Sequence, residues 1–206
     1  MHPEETDWTV LLIGGTSATG KTTLAEHLAL HFDARYIDTD LFWIVLKSAV
    51  PREVAPNLHA FEQEDSWIQP VDELIERYLG VAAYLCKSLE QLVAHHSMIG
   101  RRVVMEGVWL LPSFAAQGNY AGVAVPDVRA VYVHEADASE IERRIEERPA
   151  RGMQRHSQEA RNHIAMQHRF GEELRRRAEA LRYPVVESRP FETLFHRTLK
   201  ALGARA

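Results

Sequence analysis

Residues 10 to 22 read VLLIGGTSATGKT, an apolar run that breaks into two glycines and closes on Gly20-Lys21-Thr22. From Gly15 to Thr22 the segment fits G-x-x-x-x-G-K-[ST], a pattern that needs a strand before it and a helix after it. The strand is supplied by Val10 to Ile13, which have the continuous apolar character of a buried parallel strand. The helix follows from Thr23 to Phe32, where Leu24, Leu28 and Phe32 recur at the spacing of one helical face. Between them, the backbone N–H groups of Gly15, Thr16, Ser17, Ala18, Thr19 and Gly20 can surround an oligophosphate, and the helix turns its positive end toward the same anion. Lys21 reaches the β- and γ-phosphates, Thr22 offers its hydroxyl to Mg²⁺, and Thr23 completes the cofactor-binding stretch. ATP and Mg²⁺ are the expected cofactors.

The chain has 206 residues, 46% of them hydrophobic, enough to bury the core of one domain spanning residues 1–206. A formal net charge of −5 argues against a general nucleic-acid binder. The single cysteine, Cys86, excludes an intrachain disulfide and suits a reducing, cytoplasmic setting. No apolar run approaches the roughly 20 residues of a membrane span, and the start MHPEETDW is unlike a signal peptide, so no membrane partner is expected.

Short apolar segments alternate with longer amphipathic ones, the pattern of an α/β fold with a parallel sheet. Strands are expected at residues 10–13, 35–38, 102–106, 128–133 and 184–187. Leu41 to Lys47 read as a helix, and a long helix starts near Pro70, carried by Val71, Leu74, Tyr78, Leu85, Leu89 and Val93, and ends near His96.

Ligands of open α/β sheets gather beyond the carboxyl ends of the strands. Asp38 and Asp40 stand there, after the second strand. A carboxylate that orients or deprotonates the acceptor assists phosphoryl transfer, and Asp40 is the first choice for that role with Asp38 the second. One of the two can instead cap the helix that follows. Glu106, at the end of the third strand and next to Gly107, is placed to meet Mg²⁺, as are Thr22 and Asp38. Arg143, Arg144, Arg148, Arg151 and Arg155 flank a break at Pro149 and Gly152. That arrangement suits an arginine-rich lid over residues 148–156 that closes on the phosphates, with Arg148 and Arg155 nearest the break. The same arginines can instead pair with glutamates at helical spacing on a solvated face. His27 and His31 lie one turn apart but belong to no H-E-x-x-H pattern. Trp43, Trp67 and Trp109 suit either a pocket wall or a core edge.

The loop IGGTSATGKTT, the strand-end IDTD and the segment VVMEGVWLLP together resemble the P-loop small-molecule kinases, and among them 2-phosphoglycerate kinase. The resemblance implies a P-loop kinase-like three-layer sandwich, with a five-stranded parallel sheet and the phosphate loop on a central strand. It places the family's post-strand aspartate on Asp40 and its acid-glycine pair on Glu106-Gly107. It also implies transfer of the γ-phosphoryl group to a small-molecule acceptor. The chain departs from the family where an arginine is expected after the aspartate: the stretch here is LFWIVLK, with Phe42 and Trp43, and Arg52 is the nearest replacement. This shifts the expected acceptor from phosphoglycerate toward a larger or less charged molecule, such as a nucleoside, sugar or antibiotic. A P-loop ATPase or switch acting on a protein partner is the other class. D-x-x-G and N-K-x-D are both absent from the sequence, which disfavours a GTPase switch.

Overall fold

The computed structural model describes residues 8–62, 65–147 and 154–203. Its first strand, β1 (Val10–Gly15), is buried along its whole length and leads through the glycine loop into α1 (Lys21–His31). Then come β2 (Arg35–Asp38), α2 (Thr39–Ala49), a 3₁₀ turn at Pro56–His59, and α3 (Val71–Met98). The chain continues through β3 (Val103–Gly107), α4 (Pro112–Ala115), and a small hairpin of β4 (Asn119–Tyr120) and β5 (Val123–Ala124). It closes with β6 (Val128–His134), α5 (Ala138–Glu147), α6 (Gln158–Ala180), β7 (Val185–Glu187) and α7 (Phe191–Ala201).

Five strands form one sheet in the order β2-β3-β1-β6-β7, and every pairing is parallel. The expected five-stranded parallel sheet is therefore the architecture of the chain. Its register has a chemical consequence, because Ile13 pairs with Glu106 and Asp38 pairs with the same Glu106. The phosphate loop and two carboxylates thus leave the sheet at one level. β1 is also the strand at which the chain changes direction across the sheet, with β3 and β2 on one side and β6 and β7 on the other. A crevice at such a switch point is the standard ligand position in open α/β sheets.

Alternation along β1 serves both faces. Val10 and Leu12 pack with Met105, Leu89 and Tyr132 beneath α3, while Leu11 and Ile13 pack with Leu24, Leu28 and Val131 beneath α1 and α7. A third apolar cluster joins α2, α3 and α6 through residues such as Leu58, Leu85, Trp109 and Phe170. Helix α3 buries Leu74, Tyr78, Leu85, Leu89 and Val93, as expected from their spacing, and Val81 beside them. Asp72 and Glu73 in its first turn favour the positive end of the helix dipole.

Two boundaries differ from expectation in ways that matter. Helix α1 begins at Lys21, so Lys21 and Thr22 belong to its first turn, and α2 begins at Thr39, because Asp38 caps it. The β4–β5 hairpin is absent from the sequence reading. It turns through Ala121 and Gly122, both at positive φ (50° and 83°), and its strands of two residues are too short to show alternation. Among the described residues no helix is long and apolar enough to cross a membrane.

Candidate active site

Two glycines shape the phosphate loop. A Cβ on Gly15 would lie 2.6 Å from the Val133 carbonyl oxygen, and Gly20 sits at φ 82°, a conformation that side chains resist. Ala18 also takes a positive φ of 70°, and Thr19 Oγ1 donates to Thr16 O at 2.9 Å, which holds the loop closed on itself. Gly20 caps α1 without a side chain, and no acidic residue stands in the first turn. The N–H groups and positive end of the helix are therefore uncompensated by the helix itself, as anion binding requires. Lys21 Nζ lies 3.5 Å from Thr16 O and 3.9 Å from Glu106 Oε2, folded back over the loop with 7% of its surface exposed.

Glu106 is the polar centre of the crevice and is 2% exposed. Its Oε1 accepts hydrogen bonds from Thr22 Oγ1 at 3.0 Å and from Tyr36 Oη at 3.1 Å. Its Oε2 is buried without a hydrogen-bond partner. Burial raises the pKa of this carboxyl, while Lys21 and the Thr22 hydroxyl pull in the opposite direction. A buried carboxylate oxygen with an open lone pair beside a threonine hydroxyl is a hard-oxygen donor set, and it fits Mg²⁺ held largely by phosphates and water. No cluster of three or more His, Cys, Asp or Glu side chains able to hold a metal occurs among the described residues. His27 and His31 instead turn their rings edge-on to Phe195, at 6.2 and 5.4 Å.

The two aspartates separate by role. Asp38 is the N-cap of α2, and its Oδ1 accepts the Asp40 N–H at 2.8 Å. Asp40 lies in the first turn, and its Oδ1 is buried with no hydrogen-bond partner. Burial pushes the Asp40 pKa up, Lys21 opposes that, and Asp38 adds to it. The Trp109 indole N–H lies close enough to favour the charged form, yet it too is left without a hydrogen bond of normal geometry. Close approach of the two segments depends on Gly107, where a Cβ would fall 1.8 Å from Thr39 Oγ1.

A cavity of about 1080 Å³ opens from the phosphate loop to both sides of β1. On the side of β6 and β7 its wall is Arg144, Ile145, Phe191 and Leu194. Its other wall is Trp43, Phe61, Trp67, Tyr78, Trp109 and His163, carried by α2, the connection before α3, α3 itself, the residues after β3, and α6. All three tryptophans singled out from the sequence therefore line the cavity. Tyr78 stacks on Trp109 (4.9 Å) and Phe61 on Trp67 (4.6 Å), and Trp43 tilts against Trp109 at 5.5 Å. Arg52 is exposed in a turn, and the cation on this wall is Lys47, over the Trp43 ring at 4.7 Å and paired with Glu62 at 3.2 Å.

The arginines sort differently from expectation. Arg148 lies outside the described residues, as do Pro149, Arg151 and Gly152, and Arg155 is exposed in the turn before α6. Among the described arginines of this group Arg144 meets the phosphate loop, donating from Nη1 to Ala18 O at 3.1 Å and lying over the Phe191 ring at 3.9 Å. Arg143, one position earlier, pairs with Glu140 and Glu147 on the solvated face. Helical phase separates these neighbours, and no spacing rule in the sequence marks which of them faces the loop. Gln167 has no sequence signal at all. Fully buried on α6, its Oε1 accepts the Ser17 N–H at 3.0 Å, and its Nε2 faces Tyr78 Oη at 3.3 Å and His163 Nε2 at 3.0 Å.

Solved structures share this fold across nearly the whole chain. A gluconokinase from Sinorhizobium meliloti 1021 is 15% identical with a TM-score of 0.59, covering 97% of this chain and 94% of its own. A shikimate kinase from Bacteroides thetaiotaomicron is 15% identical with a TM-score of 0.54, covering 95% of this chain and 98% of its own. A deoxyadenosine kinase from M. mycoides, solved with bound dATP, is 11% identical with a TM-score of 0.53, covering 95% of this chain and 100% of its own. At these identities the likeness establishes the P-loop kinase fold. No curated protein sequence matches the chain. The family profile described as the AAA domain matches residues 10–174, which span β1, the phosphate loop and most of α6, and the chain belongs to that family.

Proposed function

We propose that the protein is a kinase that uses ATP and Mg²⁺ to phosphorylate a hydroxyl group of a small molecule. One observation carries the reading: a phosphate loop with Lys21 and Thr22 facing Glu106 opens onto a cavity that Lys21 and Trp109 both line, and Asp40, a buried carboxylate with an unpartnered oxygen, lies within electrostatic reach of those same two residues. In the proposed reaction the acceptor oxygen forms a bond to the γ-phosphorus as the bond to the β,γ-bridging oxygen breaks. The hydroxyl proton passes to Asp40, and ADP leaves. A carboxyl whose pKa burial has raised is a stronger base once ionised, and Lys21 favours its ionised form. Mg²⁺, when bound beside Thr22 and Glu106, offsets charge on the phosphates. Arg144 joins Arg148 and Arg155 as proposed partners of the phosphates.

The folds of gluconokinase, shikimate kinase and deoxyadenosine kinase support a small-molecule acceptor, since each is named for one. The motif resemblance to 2-phosphoglycerate kinase makes phosphoglycerate a member of the test panel. Mass spectrometry of ATP reactions over phosphoglycerates, sugars, nucleosides and aminoglycosides should show one acceptor gaining a phosphoryl group. ATP consumption without acceptor should be low. Hydrolysis stimulated only by a protein partner, with every acceptor unchanged, would sink the kinase reading in favour of a switch.

A further inference from the structure

The aromatic wall of the cavity is built from rings contributed by four separate segments. Trp43 comes from α2, Phe61 and Trp67 from the connection before α3, Tyr78 from α3, and Trp109 from the residues after β3. Trp43, Phe61 and Trp67 are only half-buried although they touch the apolar cluster, so each keeps a face toward the cavity. A core would cover those faces; a binding wall leaves them for a ligand.

Polar groups on the same wall are few and sparsely used. Trp109 is 3% exposed, and its Nε1 has no hydrogen-bond partner. His163 is 6% exposed, stacked edge-on against Trp67 at 4.8 Å, and its Nδ1 is likewise unpartnered. Because Gln167 Oε1 accepts the Ser17 N–H, the Gln167 amide nitrogen is the group that faces His163 Nε2. Nε2 must then accept, which leaves the proton of the neutral ring on Nδ1. The wall therefore carries the His163 N–H as an unused donor, and the Trp109 N–H stands beside the unpartnered Asp40 Oδ1, so that a ligand hydroxyl between them can accept from one and donate to the other.

Charge narrows the choice further. An anionic acceptor needs cations; among the described residues that line the cavity, Lys47 is already paired with Glu62, Lys21 serves the phosphate loop and Glu106, and Arg144 reaches Ala18 O at the loop, away from the rings. A cationic acceptor would compete with Lys47, which already lies over the Trp43 ring. Neither charge is accommodated as well as none.

Resting on the kinase reading above, we infer that the acceptor is an uncharged alcohol carried on a flat aromatic or heteroaromatic ring. Its ring lies among Trp43, Phe61, Trp67 and Trp109, a polar substituent takes the His163 N–H, and its reacting hydroxyl lies between the Trp109 N–H and Asp40. Three of the four tryptophans in the chain stand on this wall, while Trp8 packs on the opposite face of the sheet against Phe32. Intrinsic fluorescence therefore reports occupancy of the cavity independently of turnover.

The test combines transfer with binding. ATP–Mg²⁺ reactions are run with nucleosides and arylpropanediols, with ring-free polyols, with gluconate and 2-phosphoglycerate, and with choline, and products are read by mass shift. The expected result is that a ring-bearing alcohol is phosphorylated with a kcat/KM at least tenfold above every other class, and quenches tryptophan fluorescence saturably. Trp67→Leu should raise its KM tenfold or more while the KM for ATP changes less than twofold; Phe61→Leu gives the same readout if the first variant fails to fold. A preferred acceptor that is anionic, cationic or ring-free overturns the inference and leaves the kinase standing. Saturable quenching by ring-bearing alcohols with no transfer to any compound keeps the assignment of the pocket and overturns the kinase. Absence of both quenching and transfer for all ring-bearing compounds overturns the inference.

Discussion

Asp38 spends its carboxylate on the Asp40 N–H, whereas Asp40 holds a buried oxygen with nothing bonded to it. Substituting the two should separate stability from turnover. Asp38→Ala removes an N-cap and is expected to cost about 1 kcal/mol, a fall in Tm of roughly 2–4 °C for a chain of this size, with activity reduced only modestly. Asp40→Asn should leave Tm unchanged or higher, because it removes a carboxylate whose burial opposes ionisation. Its folded pKa is raised, so the stability that group contributes is present at low pH and lost as pH rises through the folded value; the gain from Asn grows over the same interval. Turnover of Asp40→Asn should fall on the order of 100-fold or more with ATP affinity retained. Equal losses in both would contradict an acceptor-side role. His163 has the opposite sign: burial depresses its pKa to about 4, so its neutral ring supports the fold above pH 6.5 and that support is lost as pH falls toward 4. Denaturant melts across that window should show His163→Gln losing less stability on acidification than the parent chain, by on the order of 3 kcal/mol once pH is well below 4.

At the scale of elements, the site exists because β3 and the first turn of α2 can touch. Gly107 is what allows it, with Thr39 Oγ1 donating to Glu106 O at 2.9 Å across the contact. Gly107→Ala introduces a methyl group against that hydroxyl and must push α2, and Asp40 with it, away from the phosphate loop. We expect a stability loss of about 1–3 kcal/mol with the far-ultraviolet circular dichroism retained, and a loss of transfer well beyond what that destabilisation explains. A variant with normal turnover would show that α2 can shift without moving Asp40 from its working position. Helix α6 makes the other link between elements. Its Gln167 joins Ser17 in the phosphate loop to Tyr78 on α3, so the nucleotide side and the ring-lined side of the cavity share one buried amide.

For the molecule as a whole, the loop is held in a self-satisfied state in which Lys21 leans on Thr16 and Glu106. A nucleotide must draw Lys21 onto its phosphates and bring anionic oxygens to the loop and the positive end of α1. At an ADP–Mg²⁺ concentration about 100 times Kd the linkage adds about 2.7 kcal/mol to stability, a rise in Tm of roughly 5–10 °C. Lys21→Ala should abolish most of that rise, and its transfer rate should drop by 100-fold or more. A full thermal shift in Lys21→Ala would mean that Lys21 contributes little to holding the phosphates.

The phosphate loop, the strands that bear Asp38 and Glu106, and the stripe of α3 could all be read from the chain before its structure. Each is written in neighbouring residues: a turn needs glycine at its own positions, a buried strand is a local apolar run, and a helical face repeats every three or four residues. The choice between Asp38 and Asp40 was open because it depends on where α2 starts, and capping at Asp38 settled which carboxylate was left unpartnered. The choice among the arginines depends on helical phase against a distant loop, so Arg144 emerged only when α5 was packed against Ala18. Gln167 and Ser17 are 150 residues apart in the chain, and the rings of the cavity wall come from separate segments. The sequence by itself determined that this protein folds around a phosphate-binding loop, because backbone geometry is a local property. Which side chains surround the second half of the cavity was decided by tertiary packing, because contacts between elements follow from how their faces meet.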